Sequence, residues 1–63
     1  MSRANLLRWL RALRDCGALR VTFADAGLAL LCGSRIVEHS GNVYRLTAFG
    51  REVADAAAKD GWQ

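Results

Sequence analysis

Apolar side chains recur at helical spacing at both ends of the chain. Near the amino terminus they follow the i, i+3, i+4, i+7 rule, at Leu6, Trp9, Leu10, Leu13 and Cys16. This spacing predicts an amphipathic helix over residues 4–16, with Gly17 as its stop. A second helix is predicted over 48–60, capped by Thr47 and ended by Gly61. Its apolar stripe is Phe49, Val53, Ala56 and Ala57.

The pattern between the two helices is typical of β-structure. Residues 35–39 and 43–47 are rich in β-branched and aromatic side chains, and Ser40-Gly41-Asn42 separates them. Two such runs joined by a short segment containing glycine predict a β-hairpin.

Residues 19–32 are open to two interpretations. Large apolar residues alternate with others from Leu19 to Phe23, and this period of two predicts strands over 19–24 and 28–32. The alternative is a strand at 19–21 followed by a helix, with Thr22 and Asp25 forming a capping box. A helix there would contain Gly27, at a cost of roughly 1 kcal/mol.

Self-consistent strand pairing favours the first interpretation. Loops of three, two and three residues put Val21, Leu31, Ile36 and Leu46 side by side on one face, as a buried face requires. We therefore expect a single α+β domain over 1–63: an N-terminal helix, an antiparallel meander of up to four strands and a C-terminal helix, in two layers. The alternative fold is a truncated winged helix of order α-α-β-β-α.

The reverse face of such a sheet would be uncovered and is a candidate docking surface. Aliphatic side chains ringed by arginines are typical of interface hot spots. The candidate partner-binding residues are Arg20, Leu28, Leu30, Arg35, Val37, His39 and Arg45. The expected partner is a protein complex or a second copy of the chain. Cys32 would lie between Arg20 and Arg35, where cations favour the thiolate.

Composition argues against catalysis, metals and membranes. His39 is the only histidine, and with Cys16 and Cys32 it falls short of the four ligands of structural zinc. The glycines form no phosphate-binding motif. We expect no catalytic residues, cofactor or metal. No apolar run approaches about 18 residues, so we expect no membrane partner and a reduced, cytoplasmic location.

One stretch carries a family resemblance. Ile36-Val37-Glu38, Tyr44-Arg45-Leu46-Thr47 and Gly50-Arg51-Glu52 resemble part of winged-helix transcriptional regulators, within residues 35–54. The resemblance implies DNA binding, with possible phosphate contacts at Arg3, Arg8, Arg11, Arg14 and Arg51. Residues 18–34 have room for only one of the family's two intervening helices. Within 23–33 only Asp25 has a side chain suited to base edges.

Two functional hypotheses follow for this short, basic chain. The first is a non-enzymatic inhibitor or adaptor of the phage or mobile-element type, similar in size and class to anti-CRISPR proteins, that binds a protein complex of nucleic-acid machinery. The alternative is a winged-helix-like DNA-binding regulator. A helix over residues 23–31 would remove the docking face and favour the nucleic-acid hypothesis.

Overall fold

A computed structural model describes residues 3–62 and confirms the α+β class. In chain order these residues form α1 (Arg3–Cys16), β1 (Ala18–Arg20), α2 (Ala26–Gly33), β2 (Val37–Ser40), β3 (Val43–Leu46) and α3 (Ala48–Lys59). The strands make one antiparallel sheet in the order β1-β3-β2. The structure thus has three strands where the meander allowed up to four.

The two terminal helices lie where the periodicity predicts them. α1 buries Leu10 and Leu13 on its apolar face. Thr47 is the N-cap of α3, and its hydroxyl oxygen accepts a hydrogen bond from the Gly50 N–H at 2.9 Å. Such a cap satisfies one of the free N–H groups of the first turn. Local spacing and capping residues therefore determined both elements.

The predicted strand over 28–32 is wrong, because this segment is part of helix α2. The Asp25 carboxylate accepts the N–H of Leu28 at 2.8 Å and so caps the helix itself. Leu28 and Leu31, three residues apart, then both point into the core. Gly27 is buried against α1, and a Cβ atom there would lie 2.6 Å from Asn5 Nδ2. The glycine that weakens the isolated helix therefore lies directly beside the Asn5 side chain of α1.

The hairpin forms, but its register differs by one residue from the predicted one. Its turn is Gly41-Asn42 alone, with Gly41 at φ 60°. A two-residue hairpin turn of this kind needs a positive φ at its first position. Val37 therefore pairs with Leu46, the position expected of Ile36. Since a shift of one residue exchanges the two faces of a strand, Val37 is buried and Glu38 is exposed.

β1 adds to the far edge of the hairpin and completes the sheet. It pairs with β3, with Leu19 opposite Tyr44 and Arg20 opposite Val43. The helices cover one face of this sheet, and the core consists of Leu10, Leu13, Leu28, Leu31, Val37, Leu46 and Ala54. The other face is exposed and carries an ion pair between Arg45 and Glu38, 3.0 Å apart.

Candidate nucleic-acid interface

The net charge of the protein lies on α1. This helix has four arginines, Arg3, Arg8, Arg11 and Arg14, against the single carboxylate of Asp15. The rest of the sequence has five cationic and five acidic side chains, which cancel. The overall charge of +3 is therefore the charge of one helix. A one-sided distribution of this kind is the usual electrostatic footprint of a polyanion-binding surface.

A shallow groove of about 470 Å³ runs along this helix. Its walls are Arg3, Ala4, Leu7, Arg8 and Arg11 of α1, together with Trp62 from the C-terminal end. The α1 positions are spaced so that they share one face, beside the face that enters the core. We call this the α1 groove. Its lining combines three arginines with two apolar side chains, Ala4 and Leu7, which we call its floor, and with the aromatic residue Trp62.

The end of α3 places Trp62 at the groove. The Trp62 N–H donates to the Ala57 carbonyl at 2.8 Å, and the Gly61 N–H donates to that of Ala58 at 3.0 Å. With Gly61 at φ 73°, this is a Schellman motif, which reverses the chain after a helix. Trp62 is half-buried and packs against the core cluster. A local motif at the end of α3 thus fixes one wall of a groove on α1.

The arginines of α1 differ in their contacts. Arg14 Nε donates to Asp55 Oδ1 of α3 at 2.9 Å, so its charge is already paired. Arg8 donates to the neutral amide of Asn5, at 2.7 Å from Nη2 to Oδ1. Within residues 3–62, Arg11 has no carboxylate partner. Like charges three or four residues apart on a helix repel by about 0.2–0.5 kcal/mol. An anion near Arg8 and Arg11 would therefore reduce the repulsion between these two side chains.

Arg51 lies at a separate place. It lines a second depression together with Arg14 and Asp55. The acidic side chain there offsets part of the local positive charge. Of the five predicted phosphate contacts, the structure therefore brings Arg3, Arg8 and Arg11 together and leaves Arg14 and Arg51 outside the α1 groove.

The seven residues predicted to form the docking face do not share one surface. Leu28 and Val37 are buried in the core. Leu30 is on the outside of α2, and Arg35, at φ 61°, lies in the connection to β2. The remaining three lie on the sheet: Arg20, His39 and Arg45. His39 stacks on Tyr44 with ring centroids 4.9 Å apart. The helix α2 and the shifted register account for this dispersal.

The surface of α2 offers nothing for reading base edges. Its exposed side chains are small or apolar, at Ala26, Ala29 and Leu30. The half-buried Cys32 is its only side chain with a hydrogen-bonding group, and burial raises the pKa of that thiol. The expectation of an activated Cys32 thiolate is thus wrong, because desolvation disfavours the charged form.

Four large apolar side chains are exposed among the described residues: Phe23, Leu30, Val43 and Phe49. Phe23 is the most exposed, at 90%, and lies just before the cap of α2. In the strand predicted over 19–24, Phe23 would share the core-facing side with Val21, two residues before it. Phe23 lies outside any strand because β1 ends at Arg20 and α2 begins at Ala26.

Two other kinds of site find no support in residues 3–62. No group of three or more histidine, cysteine, aspartate or glutamate side chains is arranged to hold a metal ion in this part of the chain. Nor does this part contain a helix with the length and apolar character needed to span a bilayer.

The structure defines a small α+β domain with a basic, partly aromatic groove on its first helix. Comparisons with protein-family models, curated proteins and solved structures gave no match for the chain. A functional assignment must therefore come from the geometry of its surfaces.

Proposed function

We propose that this chain is a non-enzymatic nucleic-acid-binding protein that contacts the phosphate backbone through α1. The observation that carries the proposal is the placement of the entire net charge on one helix, with Arg8 and Arg11 facing a groove and bonded to no carboxylate in the described chain. Arginine is suited to this role because its planar fork binds phosphate oxygens in pairs.

Binding of this kind is independent of base sequence. Specific recognition needs side chains that donate to or accept from base edges, and α2 presents alanine and leucine to solvent. The turn of the hairpin, Gly41-Asn42, has no cationic side chain either. The resemblance to winged-helix regulators therefore concerns the hairpin and its flanking residues only. In this proposal α1, and not a recognition helix, contacts the nucleic acid.

The test is a salt titration of binding to fluorescently labelled DNA, followed by anisotropy. Two phosphate contacts predict a slope of about −1.8 in a plot of log K against log salt for duplex DNA. Arg11→Ala should weaken binding to all sequences alike and make the slope shallower by about 0.9.

Arg51→Ala is the matched control, because it removes one charge from an exposed helical site outside the α1 groove. Its slope should stay close to that of the parent protein. Equal losses for the two variants would mean that only the total charge matters and would refute a site on α1. Absence of binding at low salt would refute the proposal as a whole.

A second candidate function is supported by the exposure of Phe23, just before the cap of α2, and of Leu30 on α2. An exposed aromatic side chain is a common anchor of protein interfaces. The protein would then act as an inhibitor or adaptor of the mobile-element type, in the cytoplasm, on a protein complex of nucleic-acid machinery. A complex that survives nuclease treatment and is lost with Phe23→Ser, but kept with Phe49→Ser, would support this function.

A further inference from the structure

The α1 groove has a feature that phosphate binding alone does not require. Besides its arginines, the groove is lined by the apolar floor, Ala4 and Leu7, and by the aromatic residue Trp62. A surface that met only phosphates would need cations and no aromatic wall. The combination of guanidinium groups with an aromatic ring is typical of proteins that bind single strands, where bases stack on the ring and cations follow the backbone.

We propose that the α1 groove holds one unit of a single-stranded nucleic acid, with its base against Trp62 and its phosphates on Arg8 and Arg11. This inference rests on the proposed function and names the form of nucleic acid that the site prefers. The groove is open to solvent, and its volume of about 470 Å³ lies within the range of about 300–1,000 Å³ usual for small-molecule sites. It has room for one base with its sugar.

A duplex fits this groove less well than a single strand. In a duplex the faces of the bases are stacked on one another, and only their edges reach the grooves. Trp62 and Leu7 would then meet sugar and phosphate, and the apolar floor would stay without an apolar partner. An unstacked base supplies the flat surface that the indole and the floor can cover.

An acidic peptide is the other polyanion that the arginines could attract. Its carboxylates would satisfy Arg8 and Arg11, but a chain rich in aspartate and glutamate offers no flat apolar group to the tryptophan. The guanidinium planes themselves also stack on bases. The composition of the groove therefore favours a nucleotide over a carboxylate chain.

Trp62 is held in place before any ligand arrives. Its backbone N–H donates to the Ala57 carbonyl within the Schellman motif, so the position of its backbone is fixed. The half-buried ring packs against the core cluster. A fixed aromatic surface loses little conformational freedom on binding, which is the advantage of a preorganised site.

The first experiment compares single-stranded oligothymidylate, a duplex of equal length and poly-glutamate as competitors for one labelled single strand. The single strand should compete at least about tenfold better than the duplex, and Trp62→Ala should weaken its binding by roughly 5- to 150-fold, as loss of one stacked base does. Trp62→Phe keeps an aromatic face and should bind within about threefold of the parent protein, since base stacking tolerates any π-face. Equal competition by duplex or by poly-glutamate would overturn the inference.

The second experiment observes the site in the parent protein, and a variant serves only to assign its signals. The sequence has two tryptophans, so an ¹⁵N-labelled sample gives two indole N–H signals, and Trp62→Phe assigns them. Saturation with oligothymidylate should shift the Trp62 signal and leave that of Trp9 in place. Binding without a shift at Trp62 would overturn the inference while the proposed function stands. Failure of single strand and duplex alike to bind at low salt would overturn both.

Discussion

The indole nitrogen of Trp9 in α1 lies 3.1 Å from Oδ1 of Asp25 and donates a hydrogen bond to it. The same oxygen accepts the N–H of Leu28 at 2.8 Å, and Asn5 Nδ2 donates to the second oxygen at 3.3 Å. One carboxylate therefore both begins α2 and connects it to α1. The side chain that caps α2 therefore also holds α1 against it.

Acid should remove this link. Hydrogen bonds, first of all the one from the Leu28 N–H, hold the pKa of Asp25 below its ordinary value of 3.8. A lowered pKa in the folded state means that the stabilisation is complete above 3.8 and is lost as the pH falls through the folded-state value. Urea unfolding at neutral pH and well below pH 3.8 measures this loss.

Asp25→Asn separates this carboxylate from the other acidic groups. Asparagine is also a good N-cap, so α2 should still form, but this part of the pH dependence should disappear. The difference in unfolding free energy between the parent protein and Asp25→Asn should therefore shrink in acid. A difference that is the same at both pH values would contradict the assignment.

Gly50→Ala should destabilise the fold. A Cβ atom at Gly50 would overlap the carbonyl of Ile36, and overpacking of this kind costs about 1–3 kcal/mol or more. Gly33→Ala is the control, because nothing lies within 4 Å of the position of its Cβ atom and alanine favours a helix by about 0.5–1 kcal/mol. Thermal unfolding should move down for the first variant and stay level or rise for the second.

The register of the hairpin can be tested by placing the same residue at two adjacent positions. Val37→Thr buries a hydroxyl in the core and should cost about 1–3 kcal/mol of unfolding free energy. Glu38→Thr removes only an exposed ion pair with Arg45, worth at most about 1 kcal/mol. If Glu38→Thr were the more damaging change, the pairing of Val37 with Leu46 would be wrong.

The two cysteines should react with a thiol reagent at different rates. Cys16 is exposed, whereas Cys32 is half-buried and burial raises the pKa of its thiol. Since the thiolate is the reactive form, the variant Cys32→Ser, which keeps Cys16, should be labelled faster than Cys16→Ser. Equal rates in the folded protein, or faster labelling of Cys32, would contradict its placement in α2.

The elements that could be predicted from the amino-acid sequence are those whose signals are local. α1 and α3 each have a polar and an apolar face, so their spacing was sufficient, and Thr47 and Gly61 mark the two ends of α3. The concentration of arginines in α1 was also evident from the sequence. These features need only neighbours within one or two turns of the chain.

The structure between these helices, and the surface that is left exposed, depend on contacts between distant parts of the chain. α2 is apolar nearly all round, so its pattern does not distinguish a helix from a strand. The hydrogen bonds from Trp9 and Asn5 of α1 to Asp25, the N-cap of α2, are contacts that the pattern does not contain. The hairpin register depended on a turn one residue shorter than the sequence suggested. The α1 groove joins Trp62 to residues near the opposite end of the chain. Such contacts arise from packing in three dimensions, and no short stretch of sequence encodes them.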